Sequence, residues 1–251
     1  MTGISIDRLA ASLGWYGKIP SSGDFVHRRF DPSLMNGWHR WISQGLLSLK
    51  GMSVADSAQT YLKAPIWNFV LPVMQDSHVV QMGCITPSRD RVGRLYPLLA
   101  VLPVSVDDFN KQLIDGSARF YQYLGSQLFS AVSYGCSIAQ LEHAIQEARV
   151  CMTPMLARSA RLQAASSGQG SAILDILNAG HENAPIEKIN DEVSSWPGLG
   201  DYFNPYSHNS YWWTSQASGV GQRTLVHGGS LNVTLFNTLF ANPSQIKTFV
   251  G

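Results

Sequence analysis

Charge is what this sequence has least of. Charged residues make up 14% of its 251 positions, against about 25% in an ordinary globular domain. The solvated surface must therefore lean on Ser, Gln, Asn and Thr, or else include a large partner-binding face, since interface cores are depleted of charge. The formal net charge is +1, so there is no basic footprint of the kind nucleic-acid binding needs, and no nucleic acid is expected as a partner. The charge is unevenly spread. Residues 1–100 hold ten Lys/Arg and six Asp/Glu, and residues 101–251 hold eight and eleven. A mild dipole follows if the two halves are separate in space.

Cysteine is also scarce. Cys84, Cys136 and Cys151 show no C-x-x-C spacing and sit in apolar runs. Buried, reduced thiols are expected, which fits a cytoplasmic location. No apolar run approaches the roughly 18 residues a transmembrane helix needs. The start, Met1 to Arg8, lacks the basic stretch and apolar run of a signal peptide. Familiar catalytic strings are missing too. Gly17-Lys18 is followed by Ile19 and is not a P-loop, and Gly219-Val220-Gly221 lacks the third glycine of a dinucleotide fingerprint. His181-Glu182 has no second histidine at the zinc-protease spacing, no Gly-x-Ser-x-Gly elbow occurs, and the seven histidines do not cluster. No catalytic residue, cofactor or metal ligand is assigned.

What the chain does have is two irregular, motif-like stretches. Gly14-Trp15-Tyr16-Gly17-Lys18-Ile19-Pro20-Ser21-Ser22-Gly23-Asp24-Phe25 packs aromatics, glycines and charge into twelve positions. Ser12 to Tyr16 suits a strand, and Pro20 to Gly23 forces a turn, so Lys18 and Asp24 stand on the shoulders of a tight loop. Pro87-Ser88-Arg89-Asp90-Arg91-Val92-Gly93-Arg94-Leu95-Tyr96-Pro97-Leu98 is a second charged loop running into an apolar strand. Lys18, Arg89, Arg91 and Arg94 thus lie on two strand-end loops beside Asp24 and Asp90, with Ser21 and Ser88 on the same loops. One reading is a structural clasp, in which Arg94–Asp24 or Lys18–Asp90 pairs fix the loops. The other is a partner- or anion-binding notch, with arginine forks and turn N–H groups addressing carboxylate or phosphate. The two can coexist.

The rest of the chain alternates helices and short strands. Residues 1–11 read as an arm or partial strand. Asp31-Pro32 opens a helix whose Leu34, Trp38, Trp41, Ile42 and Leu46 form an apolar stripe, with both tryptophans in the core. A shorter helix is expected over 54–62. Residues 66–71 and 79–85 read as an antiparallel hairpin. Residues 96–102 read as a strand buried on both faces and stopped at Pro103. One long helix is expected from Asp107 or Asp108 to Val132, and Ser137 to Gln140 is a capping box for another reaching about Cys151. Residues 155–169 are ambiguous, 171–178 read as helix, and 181–207 read as irregular, an unusually long loop that is either functional or hides an element. Strands near 211–214 and 223–227 should return to the same sheet, before a last helix at 231–240. The expected architecture is α/β: a three-layer αβα sandwich on a mixed, largely antiparallel central sheet, in a single domain spanning 1–251.

The two stretches resemble the signature of the TagF (ImpM) family of type VI secretion accessory proteins. Trp15, Gly17, Lys18, Pro20, Gly23, Asp24 and Phe25 fit its first string, and Pro87, Ser88, Asp90, Gly93, Arg94, Tyr96, Pro97 and Leu98 its second. The resemblance covers about residues 12–135 and thins beyond to features such as Tyr211-Trp212-Trp213. It implies a longin-like α/β sandwich, and residues 136–251 are read as completing that one domain. It also implies a non-enzymatic, cytoplasmic, post-translational repressor of type VI secretion, acting by protein–protein binding to an FHA-domain scaffold protein of that system, with any membrane association peripheral and through the apparatus. Two other readings stay open: a cryptic hydrolase or phosphatase, and an anion-binding structural module. Some family members are fused to a PP2C-type phosphatase, but this chain has neither that module's length nor a visible acidic metal cluster.

Overall fold

A computed structural model describes residues 6–49, 54–74, 77–152, 155, 196–219 and 221–241. Seven strands form one sheet: β1 (Gly14–Gly17), β2 (Val26–Arg28), β3 (Trp67–Leu71), β4 (Val79–Thr86), β5 (Leu98–Ser105), β6 (Asn209–Thr214) and β7 (Thr224–Gly228). They lie in the order β2-β1-β5-β4-β3-β6-β7, and every described pairing is antiparallel. The expected α/β sandwich is therefore present, with its sheet wholly antiparallel where it is described. The late strands do join the early ones: β6 pairs β3, with Phe69 opposite Trp212.

Strand alternation divides the buried residues between two faces. On one face Trp15, Val70, Met82, Cys84, Ala100, Leu102 and Trp213 meet α1 (Ile6–Ser12), α4 (Lys111–Asp115), α5 (Ala118–Ser133) and α6 (Ile138–Glu147). On the other, Tyr16, Trp67, Phe69, Leu99, Val101 and Trp212 meet α2 (Pro32–Leu49), α3 (Val54–Leu62) and α8 (Val233–Phe240). The sheet is the middle of three layers. Because it is covered on both sides, β4 and β5 read as nearly unbroken apolar runs although they are antiparallel.

α2 begins where the sequence places it. Asp31 Oδ1 accepts the backbone N–H groups of Ser33 (2.8 Å) and Leu34 (3.3 Å), satisfying donors that the first helical turn leaves open. Trp38 and Trp41 are both 2% exposed, so the tryptophan face is core. Trp41 Nε1 donates to the Asn232 carbonyl at 2.7 Å, tying α2 to the start of α8. Ser137 and Gln140 make the reciprocal capping box of α6.

Other expectations need correction. Residues 6–12 are helical, because Leu9 and Leu13, one turn apart, are both buried on the sheet. β2 is an edge strand that three residues of weak pattern did not reveal. β5 runs through Pro103 instead of stopping there. Its neighbour β1 ends its pairing at Val101, and the Pro103 carbonyl faces Ser12 Oγ at 3.4 Å. The missing N–H points to that same uncovered side, where no ladder bond is lost. The helix expected from Asp107 to Val132 is two helices. Ser117 turns its hydroxyl onto the Ile114 carbonyl at 2.6 Å, competing with the helical ladder next to Gly116. Within the stretch 181–207 expected to be irregular, the described residues 196–207 include a short helix, α7 (Leu199–Tyr202), with Leu199 buried. Its first part, the helix expected at 171–178 and the ambiguous 156–169 lie outside the described residues. Among the described residues no helix is long and apolar enough to cross a membrane.

Candidate functional site

The two motif loops meet at one end of the sheet. β1 ends at Gly17, where only glycine fits: its φ is +143°, and a Cβ there would lie 2.1 Å from the Pro97 carbonyl oxygen. The chain then turns Lys18 inward. Lys18 Nζ donates to Asp90 Oδ2 at 2.9 Å, with side-chain exposures of 7% and 0%. Ser88 Oγ donates to the Lys18 carbonyl at 2.8 Å, and Tyr61, from α3, accepts the Ser88 N–H at 3.3 Å.

Asp90 is the hub. Its Oδ1 accepts the backbone N–H groups of Val92 (3.0 Å) and Arg94 (2.9 Å), and its Oδ2 accepts Arg94 Nε at 2.6 Å as well as Lys18. This closes the 90–94 turn and joins it to the first loop. Burial alone would raise the Asp90 carboxyl. The Lys18 and Arg94 donors outweigh burial and hold it far below the usual carboxylate range. Arg94 also donates to the Gly23 carbonyl and stands 3.9 Å from Asp24 Oδ1. The Asp24 side chain is 96% exposed, so that last pair is weak. Arg91 N–H donates to the Ser22 carbonyl at 2.9 Å.

The geometry thus brings together Lys18, Ser88, Asp90 and Arg94, with Asp24 at their margin. It does not include the Ser21 side chain, which donates to the Cys136 carbonyl and fixes the first loop to the α5–α6 connection. Arg89 and Arg91 are exposed. Among the described residues neither guanidinium has a hydrogen bond or ion pair. Val92, 67% exposed, caps the turn beside them.

An aromatic cluster underlies the clasp. Phe25 stacks on Tyr16 (5.7 Å between centroids), meets Tyr96 edge-on (4.7 Å) and lies beneath Lys18 Nζ at 4.9 Å. The hydroxyls of Tyr16 and Tyr96 both reach His39 Nδ1, at 2.9 and 3.1 Å. Burial raises both phenols above their ordinary value, so they stay neutral hydrogen-bonding groups. Phe25 and Tyr96 were visible as members of the two motifs. Tyr61 and His39 carried no sequence signal, because they arrive from α3 and α2, distant in the chain. Among the described residues no three His, Cys, Asp or Glu side chains converge as a metal site would require.

The arrangement can do two things chemically. It locks two loops into one rigid rim, and it leaves two guanidinium groups on that rim without a partner among the described residues, suited to carboxylate or phosphate.

Comparison with curated proteins returns no match. Among solved structures the fold is similar to PA0076 from Pseudomonas aeruginosa PAO1, with a TM-score of 0.61 and 19% identity over 91% of this chain and 94% of that one. Over residues 14–148, more than half of the chain and including both motif loops, the sequence matches the TagF N-terminal domain family, described as type VI secretion system-associated. This chain belongs to the TagF family of type VI secretion system-associated proteins.

Proposed function

We propose that this protein is a non-enzymatic cytoplasmic regulator that represses type VI secretion post-translationally by binding an FHA-domain scaffold protein of the same system. Family membership supplies the association with secretion. The observation that carries the binding reading is the pair of unpartnered, exposed guanidinium groups of Arg89 and Arg91, displayed on a turn that Asp90 holds closed. A rim fixed in advance loses little conformational freedom on association. Exposed arginine beside apolar Val92 and the half-exposed Phe25 has the composition of an interface centre. Lys18, Ser88, Asp90 and Arg94 act in this reading as the clasp behind the contact, with Asp24 at its margin and Ser21 anchoring the first loop to the α5–α6 connection. β6 and β7 complete the sheet begun by the motif-bearing part, which supports reading the chain as one domain.

The test is genetic and biochemical. In a strain with active type VI secretion, deleting the gene should increase secretion and overexpression should decrease it. Purified protein should retain the FHA-domain scaffold in a pull-down. Unchanged secretion on deletion would sink the proposal. A phosphatase activity lost on substitution of Asp24 or Asp90 would overturn its non-enzymatic part.

A further inference from the structure

The opposite end of β4 from the clasp borders a second feature. A cleft of about 450 Å³ runs along α2, facing the β3–β4 hairpin and the turn after β7. Its floor includes Trp38 and Trp41, whose indole N–H groups are already engaged by Gln81 Oε1 (2.8 Å) and the Asn232 carbonyl (2.7 Å). Leu34, Met74 and Leu231 supply apolar walls. The volume is within the range of about 300–1,000 Å³ usual for ligand sites.

Two independent observations point to an occupant. First, Asn36, Arg40 and Gln44 line the cleft from successive turns of α2. All three are exposed, and none has a side-chain partner among the described residues. Among the described residues Arg40 is the one charged group in the lining. Second, Gly37 sits inside α2 and lines the same cleft, yet nothing lies within 4 Å of where its Cβ would be. Glycine inside a helix weakens it. Gly45, eight residues on, has a packing reason, because a Cβ there would strike the Phe236 ring at 2.1 Å. Gly37 has none. What its missing side chain does is leave bare backbone at the cleft surface.

We propose that this cleft binds an extended peptide segment carrying an acidic side chain next to an apolar one. The spacing suits such a ligand. Four helical residues rise about 6 Å, close to the roughly 6.6 Å that two residues of extended chain advance. Asn36, Arg40 and Gln44 therefore meet every second residue of a strand laid along the helix. The two amides each offer a donor and an acceptor to peptide groups. The Arg40 fork takes the carboxylate, and the neighbouring apolar side chain, pointing to the other side of the strand, lies against Met74 and Leu231. Gly37 lets the peptide backbone approach the helix closely.

The site is separate from the Arg89–Arg91 rim, so its test stands apart from the FHA-binding reading. The probes are fluorescein-labelled octapeptide pools with Leu fixed at one position and Asp, Glu, Asn or Lys fixed beside it. They are titrated against the full chain by fluorescence polarisation. The Asp and Glu pools should bind at least tenfold more tightly than the Asn pool. Arg40→Gln should erase that preference without changing the melting temperature, Gly37→Leu should abolish binding by filling the cleft, and Arg89→Gln should bind as the parent does. Absence of a carboxylate preference, a preference surviving Arg40→Gln, or binding undiminished in Gly37→Leu would each overturn the proposal.

Discussion

Lys18 and Asp90 stand 72 positions apart in the chain and 2.9 Å apart in space, both withdrawn from solvent. Each makes the other tolerable, because a buried charge without a partner is strongly destabilising whereas a pair supported by further hydrogen bonds is not. Asp90→Ala should therefore lower stability by about 3 kcal/mol, the lower end for a broken buried pair, since the site lies at the end of the sheet and not at its centre. Arg94→Ala should lower it by about 1 kcal/mol, its side chain being 58% exposed. Urea denaturation of the two variants checks the ranking. Equal losses would mean that Asp90 is not the hub.

The same carboxylate sets a pH dependence. Its native value lies well below that of the unfolded chain, about 3.9, so the unfolded state takes up the proton more readily. The stabilisation is thus fully present above about pH 4–5 and is lost progressively as the pH falls below that. Asp90→Asn should flatten the slope of urea midpoint against pH between about 2 and 5. It should not abolish it, because Glu142, held below its ordinary value by Arg29, Trp15 and Gln146 against the upward push of burial, contributes with the same sign. A slope unchanged by Asp90→Asn would show that the carboxylate titrates alike in both states.

Much of this was legible in the sequence, for reasons that differ by element. β3 and β4 announced themselves because apolar runs of the right length end at Pro or polar clusters, β5 did by its apolar run although the strand continues through Pro103, and α2 did because Asp31-Pro32 and the spacing of Trp38, Trp41 and Ile42 say the same thing. The clasp was legible as a set of charges but not as a geometry. Both candidate pairings, Lys18–Asp90 and Arg94–Asp24, exist, yet they are unequal because Asp90 is buried and Asp24 is in water. Burial of that kind is a tertiary property. So is the break at Gly116-Ser117, where a hydroxyl outcompetes a helix whose apolar stripe continues across it. The cleft on α2 had no sequence signature, since its far wall comes from Met74, Ser77, Gln81, Ser230 and Leu231, distant in the chain.

Partner binding and stability should separate at the rim. Arg89→Ala and Arg91→Ala remove groups without partners among the described residues, so the melting temperature should stay within about 2 °C of the parent, as for surface changes that break no such feature. Affinity for the proposed FHA-domain partner should fall, by about tenfold for a guanidinium that pairs at an interface centre. Calorimetry of both variants, with binding measured in parallel, reads the two quantities. A lowered melting temperature would return these arginines to the clasp.

Trp38 reports on the tryptophan face. It touches Phe69 at 5.0 Å and Trp41 at 5.5 Å between centroids, and its indole N–H is the partner of Gln81 Oε1. Trp38→Ala should destabilise by about 3–5 kcal/mol through the cavity it leaves. Trp38→Phe keeps much of the volume but strands the Gln81 oxygen, which is 2% exposed as a residue, and should lose about 1–3 kcal/mol. Denaturant midpoints decide. A loss under about 1 kcal/mol in Trp38→Ala would mean that the face is not core.

The two glycines of α2 give opposite expectations from the same substitution. At Gly45 an added methyl would overlap the Phe236 ring, which is itself fully buried against Trp41 and Phe240. The ring has no room to retreat, so Gly45→Ala should part α2 from α8 and lose about 1–3 kcal/mol despite the better helix propensity of alanine. At Gly37 the methyl meets open space, the backbone is already helical, and Gly37→Ala should gain about 0.5–1 kcal/mol. Thermal melts of the two variants therefore move in opposite directions. If Gly37→Ala also weakens peptide capture while raising the melting temperature, the glycine is there for the cleft and at the expense of the helix.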